Sequence, residues 1–317
     1  MQGNSRFPVS LILTGISVFV SLVACSPPED NADMQSPVQT EQPAVVSGPP
    51  SASELANMSY AGINKNAVTL EDERWEGEPF VEGGASRPVI GLVSDFRLTG
   101  DLDGDGVDEV VVLLWENSGG SGTFSYVAAA GRRDGKPVNL GTAFIGDRVQ
   151  LRSGQIKDGM IRLDVVQQGP DDAGCCPSQN ASRYWTLGSY GLYEGEAQIT
   201  GTATLQDIMG KEWLLIQLNR DQPVPELLAV TLNFDGERLT GKSGCNGYFA
   251  GVTEGEIPGD LTVGTIGGTR MACPEETMAL ESRYLESLGN VIKYGFLNGK
   301  LALMSQQDGG TKILLFK

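Results

Sequence analysis

A short acidic loop carries oxygen ligands at alternate positions: Asp101, Asp103, Asp105, the backbone carbonyl of Val107, and Glu109. This spacing matches the first nine positions of a calcium-binding loop, in which a glycine at the sixth position, here Gly106, allows the chain to turn. Carboxylates placed so close together repel each other unless a cation or water screens them. The sequence therefore predicts a Ca²⁺ site with a structural role.

The segment after the acidic loop distinguishes it from a helix–loop–helix calcium site. A hydrophobic strand over residues 110–114 comes next, where such a site would begin a helix and place a glutamate at position twelve. The loop is more similar to the loop-to-strand calcium sites of FG-GAP-type β repeats. One copy is visible, which argues against a propeller array. The alternative is a solvated turn in which the aspartates cap local amides.

The cysteines are the second group of residues that could carry chemistry. Apart from Cys25 the chain has Cys175, Cys176, Cys245 and Cys273, which an oxidising compartment could pair in three ways. We favour a bond between Cys245 and Cys273, which closes a loop of about 28 residues and stabilises by roughly 3–4 kcal/mol on the chain-entropy model. The adjacent Cys175 and Cys176 lie in an acidic loop that would not stabilise a thiolate nucleophile. A structural bond, between these two or to another loop, is the preferred interpretation over free thiols or a metal site.

The absence of histidine limits catalysis. Without it, Ser-His-Asp and Cys-His nucleophiles and H-E-x-x-H zinc sites are excluded. We therefore expect a protein that is not an enzyme. The formal net charge of −17 would repel a phosphate backbone, which argues against nucleic acid as a partner.

The N-terminus has the features of an export signal. Arg6 is followed by an apolar run over residues 9–23, which ends in Leu22-Val23-Ala24-Cys25. This ending resembles a bacterial lipobox and predicts a signal peptide over residues 1–24, with acyl chains on Cys25 that bind the membrane firmly. Ser26 in place of aspartate favours the outer membrane, on its periplasmic face. An ordinary cleaved signal with a chance cysteine is the alternative.

Composition divides the rest of the chain. Residues 25–57 are rich in proline, serine, glutamine and acids and predict a disordered linker, with a short helix near 52–58. Residues 58–198 predict a β-rich domain of short strands and glycine-rich turns. Its clearest strands are Pro88–Val93, Glu109–Trp115, Phe124–Ala130 and Met160–Val166.

The C-terminal part has a tight Gly-Cys-Asn corner after a strand, and a second cysteine immediately before a helix-start signal at Pro274. These residues resemble the signature of the META domain (HslJ-like) family, G-C-N-x-Y followed by T-x-x-x-C. The resemblance covers residues 203–317 and implies a small envelope-associated antiparallel sheet or open barrel with one helix. The residues that carry it are Gly244, Cys245, Asn246, Tyr248, Thr269, Met271 and Cys273.

Together these patterns predict a mainly β, α+β chain with two β-rich domains behind a lipid anchor. The expected function is binding or stress protection in the envelope, without catalysis. The partners are the membrane, through Cys25, and an envelope protein. Two alternatives stay open: an inhibitor or scaffold of an envelope enzyme, and a carboxylate-based hydrolase of cell-wall or sugar polymers, which would need two acids about 5–10 Å apart in one cleft.

Overall fold

The structure, a computed structural model, describes residues 48–219, 222–307 and 309–317. The predicted signal peptide, Cys25 and most of the predicted linker lie outside these residues. Antiparallel strands make up most of the described chain, and it has one long helix. None of the helices in the described ranges is long and apolar enough to cross a membrane.

The N-terminal β region begins with a short helix and continues in twelve strands. Helix α1 spans Ala52–Leu55. The strands are β1 (Ser59–Tyr60), β2 (Val68–Thr69), β3 (Arg74–Glu76), β4 (Val89–Gly100), β5 (Glu109–Asn117), β6 (Phe124–Arg133), β7 (Lys136–Asp147), β8 (Gln150–Lys157), β9 (Met160–Gln167), β10 (Gln179–Gly188), β11 (Gly191–Glu194) and β12 (Gln198–Thr202).

Two five-stranded sheets and the small β1-β2 pair build this region. One has the order β3-β4-β5-β6-β7, and the other has the order β11-β10-β9-β8 with β12 also paired to β10. The central strand β5 is buried on both faces: Val110 and Val112 pack with α1, β1 and β2, whereas Val111 and Leu113 pack against the second sheet. Successive residues of a strand point to opposite faces, so an unbroken apolar run is what such a strand requires.

Ordered structure begins inside the predicted linker, with the short helix that the sequence also predicts near residues 52–58. The predicted linker extends to residue 57, but Leu55 is 2% exposed and packs in the core beside β5. Ser51 caps α1 in a reciprocal capping box with Glu54. Glu54 also forms an ion pair with Arg132 at 2.7 Å, which ties this segment to β6.

The C-terminal region contains nine strands, two 3₁₀ turns (Leu205–Ile208 and Glu226–Leu228) and one helix, α2 (Glu275–Gly289). Its sheet has the order β17-β16-β15-β14-β13-β21-β20-β19, with β18 paired to β16. The strands are β13 (Trp213–Leu218), β14 (Thr231–Phe234), β15 (Arg238–Lys242), β16 (Gly247–Glu254), β17 (Leu261–Val263), β18 (Gly267–Gly268), β19 (Val291–Leu297), β20 (Lys300–Gln307) and β21 (Gly310–Phe316).

This sheet is nearly closed. A bridge between Asp260 and Lys293 joins the β17 edge to the β19 edge. Helix α2 covers the interior with Leu280, Tyr284 and Leu288, each 5% exposed or less. These residues recur at helical spacing, as the sequence predicts, and each contributes roughly 1.5–3 kcal/mol by its burial.

All described residues belong to one compact unit, so the two predicted domains are packed together. Strand β19 lies against β8, where the Phe296 amide donates to the Gln150 side-chain oxygen at 2.9 Å. Lys300 of β20 forms an ion pair with Asp95 of β4.

Candidate functional site

The acidic loop joins β4 to β5 and is shaped by its own side chains. Asp101 accepts hydrogen bonds from the amides of Gly104, at 2.7 Å, and Gly106, at 3.1 Å. Both glycines have positive φ, +81° and +85°, a conformation that glycine adopts without strain. Asp105 accepts from the Val107 amide at 2.7 Å. The loop is therefore a series of aspartate-capped turns.

Three of the predicted calcium ligands lie close together. Asp101, Asp103 and Glu109 each offer a carboxylate oxygen, and these oxygens lie within 4.8 Å of one another. Asp105 is not in this group, and the ligand predicted at Val107 is a backbone carbonyl, which this side-chain cluster does not test. Glu109 is buried and accepts from the Leu102 amide at 2.8 Å. Hard oxygen ligands around one point suit Ca²⁺, so the residues fit the predicted ion, and calcium binding stays a prediction.

Calcium should stabilise the folded chain through this loop. At a free concentration one hundred times the dissociation constant, a ligand specific for the folded state adds about 2.7 kcal/mol to the free energy of unfolding. Asp103→Asn removes one ligand charge and should abolish the calcium-dependent rise in the unfolding midpoint. Asp108→Asn removes the same charge from an exposed residue outside the cluster and should keep that rise. Equal calcium heats for Asp103→Asn and the unchanged protein would contradict the site.

The Gly-Cys-Asn corner is organised by a residue that sequence reasoning missed. Glu281 of α2 is buried and accepts from the Ser243 hydroxyl at 2.6 Å, the Asn246 amide at 2.9 Å and the Asn246 side-chain amide at 2.9 Å. Burial raises the pKa of Glu281, but these hydrogen bonds together outweigh it and hold the pKa below its ordinary value. The sequence does contain an indication that Glu281 faces the core, since it falls on the same helix face as Tyr284 and Leu288.

Asn246 connects three segments. Its side-chain oxygen accepts from the Met271 amide at 2.7 Å and from the Thr269 hydroxyl at 2.8 Å, and its side-chain nitrogen donates to Glu281 and to the Met271 carbonyl. Tyr248 shares a 2.7 Å hydrogen bond with Tyr284. Asn246 thus uses all its polar atoms within the fold, so these signature residues hold the corner together instead of presenting a reactive group.

Both predicted structural bonds are present. Cys245 pairs with Cys273 and Cys175 pairs with Cys176, the first of the two alternatives considered for the adjacent cysteines. The adjacent pair lines an apolar cavity of about 330 Å³ together with Tyr294 and other residues of β19 and β20.

A second cavity, of about 400 Å³, is lined by polar and apolar surface in equal parts, from both halves of the folded chain. We call it the cationic cleft, because Arg152 (β8), Arg162 (β9) and Lys211 line it. The Arg152 guanidinium lies 5.4 Å from the Phe296 ring centroid, and the Lys211 ammonium lies 3.9 Å from the Trp213 ring centroid. Partial burial lowers the pKa of Lys211.

Two carboxylates in the cleft fix the arginines. Asp164 accepts from Arg162 at 3.0 Å and from the hydroxyls of Ser153 and Ser182 at 2.7 and 2.6 Å. Burial raises the pKa of Asp164, but these three donors together bring it below the ordinary value.

Asp207 is held in the same way as Asp164. Its carboxylate lies 3.0 Å from Arg152 and accepts from the Asn180 side chain at 2.8 Å and the Thr204 amide at 3.0 Å. Sequence reasoning did not identify any cleft residue, because the cleft residues come from segments far apart in the chain.

The comparisons with known proteins concern the C-terminal region. Residues 203–316 match the family model of the META domain. A solved structure from Burkholderia xenovorans, described as an NMR structure, is similar to this chain at 25% sequence identity, with a TM-score of 0.28, over 35% of this chain and 83% of that chain. No curated protein matches. The C-terminal third of this protein, with its Gly-Cys-Asn corner, its nearly closed sheet and its single long helix, is a META domain.

Proposed function

We propose that this protein is a lipoprotein of the bacterial envelope, anchored through Cys25 to the periplasmic face of the outer membrane, and that its folded part acts by binding a ligand. The observation that carries the binding role is the cationic cleft, which the META domain and the preceding β region line together. Its volume of about 400 Å³ is in the range of small-molecule sites. Catalysis is not part of this proposal.

The state of the cleft carboxylates supports binding over hydrolysis. A sugar hydrolase of the usual kind needs one carboxyl group with a raised pKa to protonate the leaving group. Asp164 has a lowered pKa, and three donors hold it as an anion. Asp207 contacts Arg152, Asn180 and Thr204, which fix the position of its carboxylate. Both groups are suited to positioning the arginines.

The anchor can be tested on the expressed protein. In a host with two membranes, the mature chain should begin at Cys25, carry the mass of a diacylglyceryl group and sediment with outer membranes, because two or three acyl chains bind a bilayer stably. Cys25→Ser should lose the added mass and the membrane association. The matched variant Ser26→Asp should keep the acyl mass and move to the inner membrane. An unmodified Cys25 in the mature protein would refute the anchor.

A further inference from the structure

We propose that the cationic cleft binds a small anionic molecule, one that presents a carboxylate or a phosphate group to Lys211, Arg152 and Arg162. This inference rests on the proposed binding function and assigns the ligand chemistry at the same cleft. The cleft would attract the anion only at short range, because the chain as a whole carries a net charge of −17 and repels anions at long range.

Lys211 supplies a cation that no carboxylate neutralises within the described ranges. The lysines that form ion pairs there are Lys293, Lys300 and Lys317. Lys211 instead sits over the face of Trp213. A partly dehydrated ammonium on an aromatic ring gains more from an incoming anion than a fully solvated one does.

The two arginines keep donors available. Each guanidinium has five N–H groups. Within the described chain, Arg162 directs its Nε and Nη2 atoms to Asp164 and Ser182. Arg152 makes its ion pair with Asp207 through Nη2. Within the described residues the Nη1 atom of each arginine makes no hydrogen bond, so each can donate to a carboxylate or phosphate oxygen of a ligand.

The carboxylates of the cleft do not cancel this preference. The hydrogen bonds from Ser153, Ser182 and Asn180 spread the charge of Asp164 and Asp207 over neutral donors as well as over the arginines. Three cations face two such carboxylates, which leaves one net positive charge in the cleft. One cation lies over the ring of Trp213 and one over the ring of Phe296, so the ring face on that side is not available to a purely apolar ligand.

Calorimetric titration of the full mature chain in neutral detergent micelles tests the inference with three probes: inorganic phosphate, galacturonate and galactose. We expect saturable binding of phosphate or galacturonate, and the pair of titrations separates a phosphate site from a carboxylate site. Lys211→Gln should weaken that binding about tenfold, the loss of one charge-assisted hydrogen bond. Lys211→Arg, which keeps the charge, should restore most of the affinity. Added salt should weaken binding as it screens the cleft.

Lys242→Gln is the matched control, since it removes an exposed lysine of the META domain outside the cleft and should leave binding unchanged. Lys211 is an exposed residue of which only the ammonium is partly shielded, over Trp213, so its variants should fold, as circular dichroism can verify. The inference is overturned if neither anion binds, or if Lys211→Gln binds as tightly as the unchanged protein. Binding of galactose alone would also overturn it while leaving a binding function in place. Chemical conversion of any probe, followed by NMR, would instead contradict the proposed function.

Discussion

Glu281→Ala should lower the free energy of unfolding by about 3–5 kcal/mol, because it removes the acceptor of buried donors. The Asn246 amide, 2.9 Å from the Glu281 carboxylate, would lose this acceptor, and the Asn246 side-chain nitrogen would keep only the Met271 carbonyl at 3.3 Å. Ser243 would keep an acceptor, since its hydroxyl lies 2.9 Å from the Asn246 carbonyl. The midpoint of equilibrium urea unfolding measures the loss.

Glu286→Ala is the matched control. Glu286 is on the same helix but exposed, so its removal should change stability by less than about 0.5 kcal/mol. A loss of similar size for both variants would mean that Glu281 acts only through the helix and not through the corner. Glu281→Gln, which keeps one acceptor oxygen but turns a donor toward Asn246, should fall between alanine and glutamate.

The same carboxylate should give an acid-dependent stability. Hydrogen bonds outweigh burial and lower the pKa of Glu281 in the folded chain below its ordinary 4.5. Its contribution is therefore complete above pH 4.5 and is lost as the pH falls through the folded value, where the carboxylate takes up a proton. Glu281→Gln should flatten this part of the stability profile measured between about pH 5 and pH 3, relative to the unchanged protein. An unaltered slope would contradict the assignment.

The elements that the sequence predicts are those whose pattern is local. Strand β5 is an unbroken apolar run, and α2 repeats Leu280, Tyr284 and Leu288 at helical spacing. Strand β7 was not predicted, because Gly141 and Gly146 resemble turn residues. A tertiary contact requires glycine at position 141. A Cβ there would lie 2.6 Å from the Leu192 amide nitrogen, because β11 approaches β7 closely at this point.

The two candidate sites can likewise be predicted from the sequence only where their residues form a local pattern. The acidic loop is visible in the sequence because its ligands alternate within nine residues, and the fold brings Asp101, Asp103 and Glu109 together. The cationic cleft has no local pattern, because Arg152 and Arg162 come together only once β8 and β9 pair and Lys211 arrives from the META domain. Contacts between residues that are far apart in the chain create that site, and the spacing of residues in the sequence does not reveal such contacts.

Removing the disulfide between Cys245 and Cys273 should cost roughly 3–4 kcal/mol of unfolding free energy, because the bond closes a loop with a sequence separation of 28 and so restricts the unfolded chain. Both cysteines are half-buried, so the double variant Cys245→Ala, Cys273→Ala loses little packing, and the hydrogen bonds of Asn246 still hold the corner.

Cys175 and Cys176 provide the matched comparison within the same chain. Their bond has a sequence separation of 1 and closes no loop of consequence, so Cys175→Ala, Cys176→Ala should change the urea midpoint far less than the first double variant. Measuring both variants under oxidising conditions keeps the other bond intact in each. Equal losses would refute the entropic origin assigned to the Cys245–Cys273 bond, since the number of cysteines removed is the same and the lengths of the closed loops differ widely.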